Sequence, residues 1–257
     1  MASHPFFEGL RSPRILAHRG LVTDEMREEG IAENSVAAIA AAHAAGADII
    51  ESDCHLTADG VVVLFHDDNL QRVAGDPRPL ADVTFAELED LMATRGGLAT
   101  LAQALGAFPE SRFNIDVKAA AAAIPAGRIV AEHANRVLLT SFSDSRRAGA
   151  LAAAKQAGGS PATSAGYSVI LRLAVAVRLL PVPRLLARIL RGIDALQIPE
   201  RRGPVRVLTP GLVRAAHANG VEVHVWTVND VDEMRRLLAM GVDGIVTDIA
   251  DQAVDAR

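Results

Sequence analysis

The sequence predicts an α/β fold, a TIM (β/α)8 barrel with one small extra β-hairpin strand after strand 2. Short β-branched runs alternate with Ala/Leu-rich stretches from one end of the chain to the other, the pattern of parallel strands joined by helical crossovers. Eight such runs can be counted, the number a closed barrel needs. The length, 257 residues, is that of a one-domain barrel.

The strands are expected at Arg14 to Ala17, Asp48 to His55, Phe113 to Lys118, Arg136 to Ser141, Ala162 to Gly166, Asp194 to Ile198, Val221 to Thr227 and Gly244 to Thr247. Val61 to Phe65 reads as an additional strand, turned back on the second through Asp59 and Gly60. Helices are expected at Ser35 to Ala45, Phe85 to Met92, Leu101 to Phe108, Ala119 to Ala134, Asp144 to Gln156, Ser168 to Leu190, Gly211 to Asn219 and Val231 to Met240. Several end at glycine, which suits the residue just past a helix. No linker rich in Pro, Gly or Ser divides the chain and no longer repeat stands out, so residues 1–257 read as a single domain.

Composition narrows the function. Half the residues are hydrophobic and 22% charged, enough to bury a large core. The net charge of −5 and the 4% aromatic content, with no aromatics interleaved in basic runs, argue against a nucleic-acid partner. The single cysteine, Cys54, forms no internal disulfide and reads as a small buried residue. Met1 to Leu10 lacks a secretory pattern, and no run reaches the ~18 apolar residues that span a bilayer, so a cytoplasmic protein is expected.

The chemistry gathers where strands end. Alternation along a strand puts Glu51, Asp53 and His55 on one face and Ser52 and Cys54 on the other. Two carboxylates on one face repel and lose hydration, so a cation or an ion pair must compensate. Oxygen donors of this kind favour hard cations such as Ca²⁺ or Mg²⁺. Asp116 and Lys118 share a face near the end of another strand: Asp116 is a third carboxylate, and Lys118 either holds a phosphate oxygen or pairs with the aspartate. His18 and Arg19 follow the first strand directly, with Gly20 permitting close backbone approach, and His66 follows the hairpin strand. Two histidines at the ends of two apolar runs suit a base and an acid.

These motifs, His18-Arg19-Gly20, Glu33-Asn34-Ser35, Glu51-Ser52-Asp53 with Leu56-Thr57-Ala58-Asp59-Gly60, and His66-Asp67, resemble in order and spacing those of the glycerophosphodiester phosphodiesterase family. Asp116-Val117-Lys118, Val225 to Asn229 and Gly241 to Asp248 extend the resemblance over nearly the whole chain, with Ser168 to Arg206 the least informative part. The resemblance implies a TIM barrel hydrolysing glycerophosphodiesters such as glycerophosphocholine and glycerophosphoethanolamine to sn-glycerol 3-phosphate and an alcohol. It implies His18 and His66 as acid and base, and Glu51, Asp53 and Asp116 as ligands of one divalent cation, Ca²⁺ or Mg²⁺. Arg19 and Lys118 would contact the phosphate, Glu33 would join the polar network that binds the substrate near the metal, and Trp226 would form an aromatic wall over its glycerol or head group. Asp116 stands where the family usually has Glu, one methylene longer. Thr247 and Asp248 are expected to cap the last helix rather than to touch substrate.

Ser168 to Arg191 is apolar, carries Arg172, Arg178, Arg184, Arg188 and Arg191, and is interrupted by Pro181 and Pro183. It reads first as an outer barrel helix whose apolar stripe packs on the strands while its arginines reach water, and second as a peripheral contact with an anionic membrane. Two other functions compete with the main one. One is a lysophospholipase D-like or phospholipase-like barrel acting on lipid head groups; the other is a catalytically impaired barrel that binds metal or phosphate without turnover.

Overall fold

A computed structural model describes residues 4–257; Met1 to Ser3, part of the segment read above for a secretory pattern, lie outside it. The strands run in chain order β1 (Arg14–Ala17), β2 (Ile49–Leu56), β3 (Val62–Leu64), β4 (Arg112–Val117), β5 (Val137–Thr140), β6 (Ala195–Ile198), β7 (Arg201–Arg202), β8 (Val205–Arg206), β9 (Glu222–Val225) and β10 (Gly244–Thr247). The main sheet has the order β5-β4-β2-β1-β10-β9-β6, and every neighbouring pair on that path is parallel. The expected extra strand is β3, antiparallel to β2, with Cys54 opposite Leu64.

The expected strand at Ala162 to Gly166 is extended chain with only two bridges, Leu138 to Ala162 and Ser164 to Ala195. Those bridges place it between β5 and β6, where it is the eighth stave and closes the ring. Its residues, Ala162, Thr163, Ser164 and Ala165, are small and, threonine apart, lack the β-branching that stiffens a strand. Backbone bonds to both neighbours hold it, the Leu139 amide donating to the Ala162 carbonyl at 2.8 Å and the Ala165 amide to the Ala195 carbonyl at 3.0 Å, and side chains add to them: the Thr163 hydroxyl donates to the Leu139 carbonyl at 2.8 Å, and Asp194 accepts from the Thr163 amide at 2.9 Å.

Several of the outer helices begin where the sequence supplies a capping oxygen. Ser35, Thr84, Thr100, Ser143, Thr209 and Asp230 each accept an amide of the first turn, and Thr84 with Glu87 and Thr100 with Gln103 complete reciprocal capping boxes. The helix expected from Ala119 starts only at Ala123 and runs to Ala131. The alanines before it have helix propensity but no capping side chain, and they are spent in the turn out of β4. The long helix expected from Ser168 is two, Tyr167–Leu179 and Pro183–Ile189, divided at the prolines.

Strand alternation divides the core in two. Ile15, Ile50, Phe113, Ile115, Leu139 and Ile245 face outward into the layer beneath the helices. Leu16, Ile49, Leu138, Ala162, Ala195 and Val246 face inward, and Phe6 and Phe7 pack with them. Two residues further along the same strands and loops the inward positions turn polar: His18, Glu51, Thr140, Ser164, Gln197 and Asp248. The interior is therefore apolar at its floor and polar at the end where the strands finish, the end that hosts chemistry in barrels of this kind.

Candidate active site

The polar end opens into a cavity of about 190 Å³ lined by His18, Arg19, Glu51, Asp53, His66, Asp116, Lys118 and Trp226 among others. Eight of the nine residues expected to carry the chemistry thus meet in one place. Glu33, the ninth, lines an adjoining cavity that shares His18 and Arg19 as its wall.

His18 continues β1, its amide donating to the Thr247 carbonyl at 2.9 Å. Its Nδ1 donates to Asp248 Oδ1 at 2.6 Å, and Asn229 Nδ2 donates to the other oxygen of that carboxylate at 2.6 Å. Burial alone would lower the His18 pKa; the bond to Asp248 and the nearby Glu51 carboxylate outweigh it and leave His18 above the ordinary histidine value. The expectation that Asp248 and Thr247 cap the last helix is corrected here. Helix Ala250–Ala256 has no side-chain cap, because the Asp248 oxygens are taken by His18 and Asn229. Thr247 Oγ1 donates to Asn229 Oδ1 at 3.1 Å and accepts the Ile249 amide at 3.1 Å, short of the helix.

Arg19 adopts a left-handed backbone, φ 57°, and Asn34 does the same at φ 58°. Such conformations are uncommon for residues with side chains and occur where surrounding bonds enforce them. Here the Asn34 amide donates to the Arg19 carbonyl at 2.8 Å, and the Arg19 amide donates to Glu51 Oε2 at 3.0 Å. Gly20 makes the turn possible, since a Cβ there would sit 2.7 Å from the Ala38 carbonyl. The Arg19 guanidinium donates to Glu33 Oε1 at 2.7 Å and lies 3.4 Å from Asp53.

His66 is held in the same way as His18: Nδ1 donates to Asp67 Oδ1 at 2.6 Å. Arg72 then donates to Asp67 Oδ2 at 2.7 Å and to Glu33 Oε1 at 2.6 Å, tying the His66 arm to the Arg19 arm. His55, which alternation placed beside Glu51 and Asp53, does not line the cavity; its Nε2 bonds the His66 carbonyl at 3.0 Å and so steadies the loop that carries His66.

Glu51 and Asp53 face Asn114 and Asp116 across the β2–β4 ladder, register for register. Burial, then the Asp53 charge, raises the Glu51 pKa from an ordinary 4.5 to about 8. Burial likewise raises Asp116, against the opposing pull of Lys118. The Lys118 ammonium sits between Asp53 Oδ1 at 2.9 Å and Asp116 Oδ2 at 2.8 Å, and these two carboxylates hold its pKa up despite burial. Among the described residues no three acidic, histidine or cysteine side chains stand close enough to hold a metal as placed. The donor set nevertheless fits a hard cation: Asp116 Oδ1 and Asn114 Oδ1 are buried acceptors with no hydrogen-bond partner, beside a glutamate that burial pushes toward its neutral form.

Trp226 follows β9 and meets Phe142 edge to face at 5.6 Å, while Lys118 Nζ lies 5.4 Å from the Phe142 ring centre. Phe142 was not singled out from the sequence; its position just after β5 was the available signal. Asn34 was legible only as part of a motif, although it accepts from Ser52 Oγ at 2.6 Å and reaches Asp53 at 3.3 Å. Asp248 lies 230 positions from the histidine it holds, a distance no local pattern bridges.

Similarity to known proteins extends over most of the chain. The model of the glycerophosphoryl diester phosphodiesterase family matches residues 18–252. A probable glycerophosphodiester phosphodiesterase 2 of Mycobacterium tuberculosis is 38% identical over 239 residues, covering 92% of this chain and 87% of its own. A lysophospholipase D of Homo sapiens is 24% identical over 265 residues, 91% of this chain and 82% of its own. The crystal structure of a glycerophosphodiester phosphodiesterase from Thermotoga maritima superimposes with a TM-score of 0.72 at 24% identity, over 96% of this chain and 100% of that one.

Proposed function

We propose, on the premise that this chain belongs to the glycerophosphoryl diester phosphodiesterase family and hydrolyses glycerophosphodiesters, that His18 and His66 move the protons of the reaction within one domain spanning residues 1–257. The observation that carries this reading is the matched pair of imidazoles in one cavity, each with Nδ1 bound to a carboxylate. Anchoring Nδ1 fixes the tautomer and leaves Nε2 as the working nitrogen.

In-line displacement at phosphorus needs a base beside the entering oxygen and an acid beside the leaving one, on opposite sides of the phosphoryl group. Asp248 keeps a proton on His18 to higher pH than an ordinary histidine, which suits it to protonate the departing alcohol. His66 then takes the proton of the nucleophile, either water or the free glycerol hydroxyl next to the phosphate. Arg19 and Lys118 supply positive charge to the phosphoryl oxygens, with Glu33 aiming the Arg19 fork. Trp226, with Phe142, gives the glycerol or head group an apolar wall. Glu51, Asp53 and Asp116 are the residues that would hold a divalent cation, Ca²⁺ or Mg²⁺, whose charge stabilises the oxyanions of the transition state when bound. The shorter Asp116 is compatible with that role, since the residue lines the cavity and its buried Oδ1 has no hydrogen-bond partner. The products are sn-glycerol 3-phosphate and the head-group alcohol.

The test is release of glycerol 3-phosphate from glycerophosphocholine and glycerophosphoethanolamine by metal-stripped protein, with Ca²⁺ or Mg²⁺ restored separately and His18→Ala as control. Restoration by one cation and its loss in the variant support the reading; full turnover without added cation removes the metal from it, and full turnover in the variant removes His18. A second reading, removal of the head group from lysolipids, draws on the similarity to a protein named lysophospholipase D. Choline release from lysophosphatidylcholine distinguishes it.

A further inference from the structure

Packing against a barrel requires one apolar stripe on an outer helix, and Tyr167–Leu179 has two. Val169, Leu173 and Ala176 are buried against the protein. Tyr167, Leu171, Val175 and Leu179, spaced four apart, are 48%, 50%, 48% and 73% exposed. The turn and short helix that follow add exposed Leu180, Val182 and Leu185. The reading of this segment as a helix that buries its apolar side and extends arginines to water accounts for the first stripe and not the second.

The charge carried by the segment itself has one sign. Positions 167–193 contain no Asp or Glu in a chain whose net charge is −5, and all five arginines of that stretch are exposed. The β7–β8 hairpin adds exposed Arg201, Arg202 and Arg206. It is tied to the helix, since Arg178 donates to the Arg206 carbonyl at 2.6 Å and the Arg202 guanidinium lies 4.6 Å from the Tyr167 ring centre. Glu200, at the foot of the hairpin, is already engaged by Arg206 at 3.1 Å and Arg236 at 2.7 Å. The exposed stripe also begins at the cavity rim: the Tyr167 amide donates to the carbonyl of Phe142, and Phe142 lines the cavity and is 51% exposed.

We infer that this face docks peripherally on an anionic lipid bilayer, with the Tyr167–Leu179 stripe at the acyl boundary and the arginines among the head groups. An apolar helical stripe bordered by basic residues is the composition that lies in such an interface. A second copy of the chain is the wrong occupant, because a two-fold contact through this face would set arginine against arginine. No helix among the described residues is long and apolar enough to cross the membrane, so the contact is superficial. Docking of this kind would hold the active-site mouth at the edge of a lipid surface, whatever the reaction performed there.

The test is flotation of the full chain with vesicles of phosphatidylcholine alone or with added phosphatidylglycerol, at low and high salt. Two double variants accompany it, Leu171→Gln with Val175→Gln and Arg184→Gln with Arg188→Gln. All four positions lie outside the catalytic machinery, so turnover of soluble glycerophosphocholine reports folding. Wild-type protein should float with the phosphatidylglycerol vesicles alone, less so at high salt. Each variant should weaken partition by roughly tenfold or more while retaining turnover. Failure of the wild type to float, or undiminished flotation of both variants, overturns the inference. A dimer that Leu171→Gln with Val175→Gln dissolves, in place of flotation, assigns the face to a second copy.

Discussion

The floor and the mouth of this barrel are made by the same strands two residues apart, and they obey opposite rules. At the floor Leu16, Ile49, Leu138 and Val246 meet Phe6 and Phe7, and each side chain gains by leaving water. At the mouth Glu51, Asp53 and Asp116 are also buried, and each loses hydration that charged and hydrogen-bonding partners such as Lys118 and Arg19, or a bound cation, must offset. The floor stabilises the fold; the mouth draws on that stability to keep charges ready for chemistry.

The contrast is sharpest in the histidines. His18→Ala or His66→Ala should lower kcat for glycerophosphocholine by about 10² or more while leaving the melting temperature close to that of the wild type. Near-normal turnover in both would take proton transfer away from this pair. The complementary change at the floor, Leu138→Ala, should cost about 2–5 kcal/mol of stability, read as a shift in denaturant midpoint, with kcat of the folded fraction retained. If it abolished turnover without changing stability, floor and mouth would not be separable.

Glu51 offers a smaller break. Its raised pKa means that the folded metal-free chain binds a proton the unfolded chain releases, so this contribution to stability is complete below pH 4.5 and is lost as pH rises through about 8. Glu51→Gln should remove that loss, leaving the metal-stripped variant more stable than wild type at pH 8 and the two more alike in acid. Thermal unfolding at both pH values checks it, and identical pH profiles would show Glu51 to be solvated.

The smallest effect concerns Asp248. Replacing it with Asn withdraws the charged acceptor that holds the His18 pKa up, so the imidazole should titrate at lower pH than in the wild type. NMR titration of the His18 ring in metal-free protein reads the shift directly. An unchanged titration would mean that Glu51, not Asp248, keeps the proton on His18.

Much of this is legible in the sequence, for reasons that differ by residue. β2 was readable because Glu51 and Asp53 interrupt an otherwise apolar strand at period two, and β3 because Asp59 and Gly60 announce the turn before it. The stave at Ala162 was readable as a position in the alternation, yet its small residues bond too sparsely to form a regular strand. The second stripe of Tyr167–Leu179 was hidden because apolar residues on both sides of a helix look the same in sequence; only packing separates Leu173, buried, from Leu171, exposed.

The sequence by itself determined the barrel class, the family and the strand ends at which the reactive residues sit, because those rest on periodicity and on motifs contiguous in the chain. The tertiary structure alone decided which carboxylate serves which histidine, that Lys118 lies between Asp53 and Asp116, and that Asp248 turns toward His18 instead of capping a helix. Such choices follow from distances between residues far apart in sequence and from the energetic need of every buried polar atom for a partner, and neither is set until the ring of strands has closed.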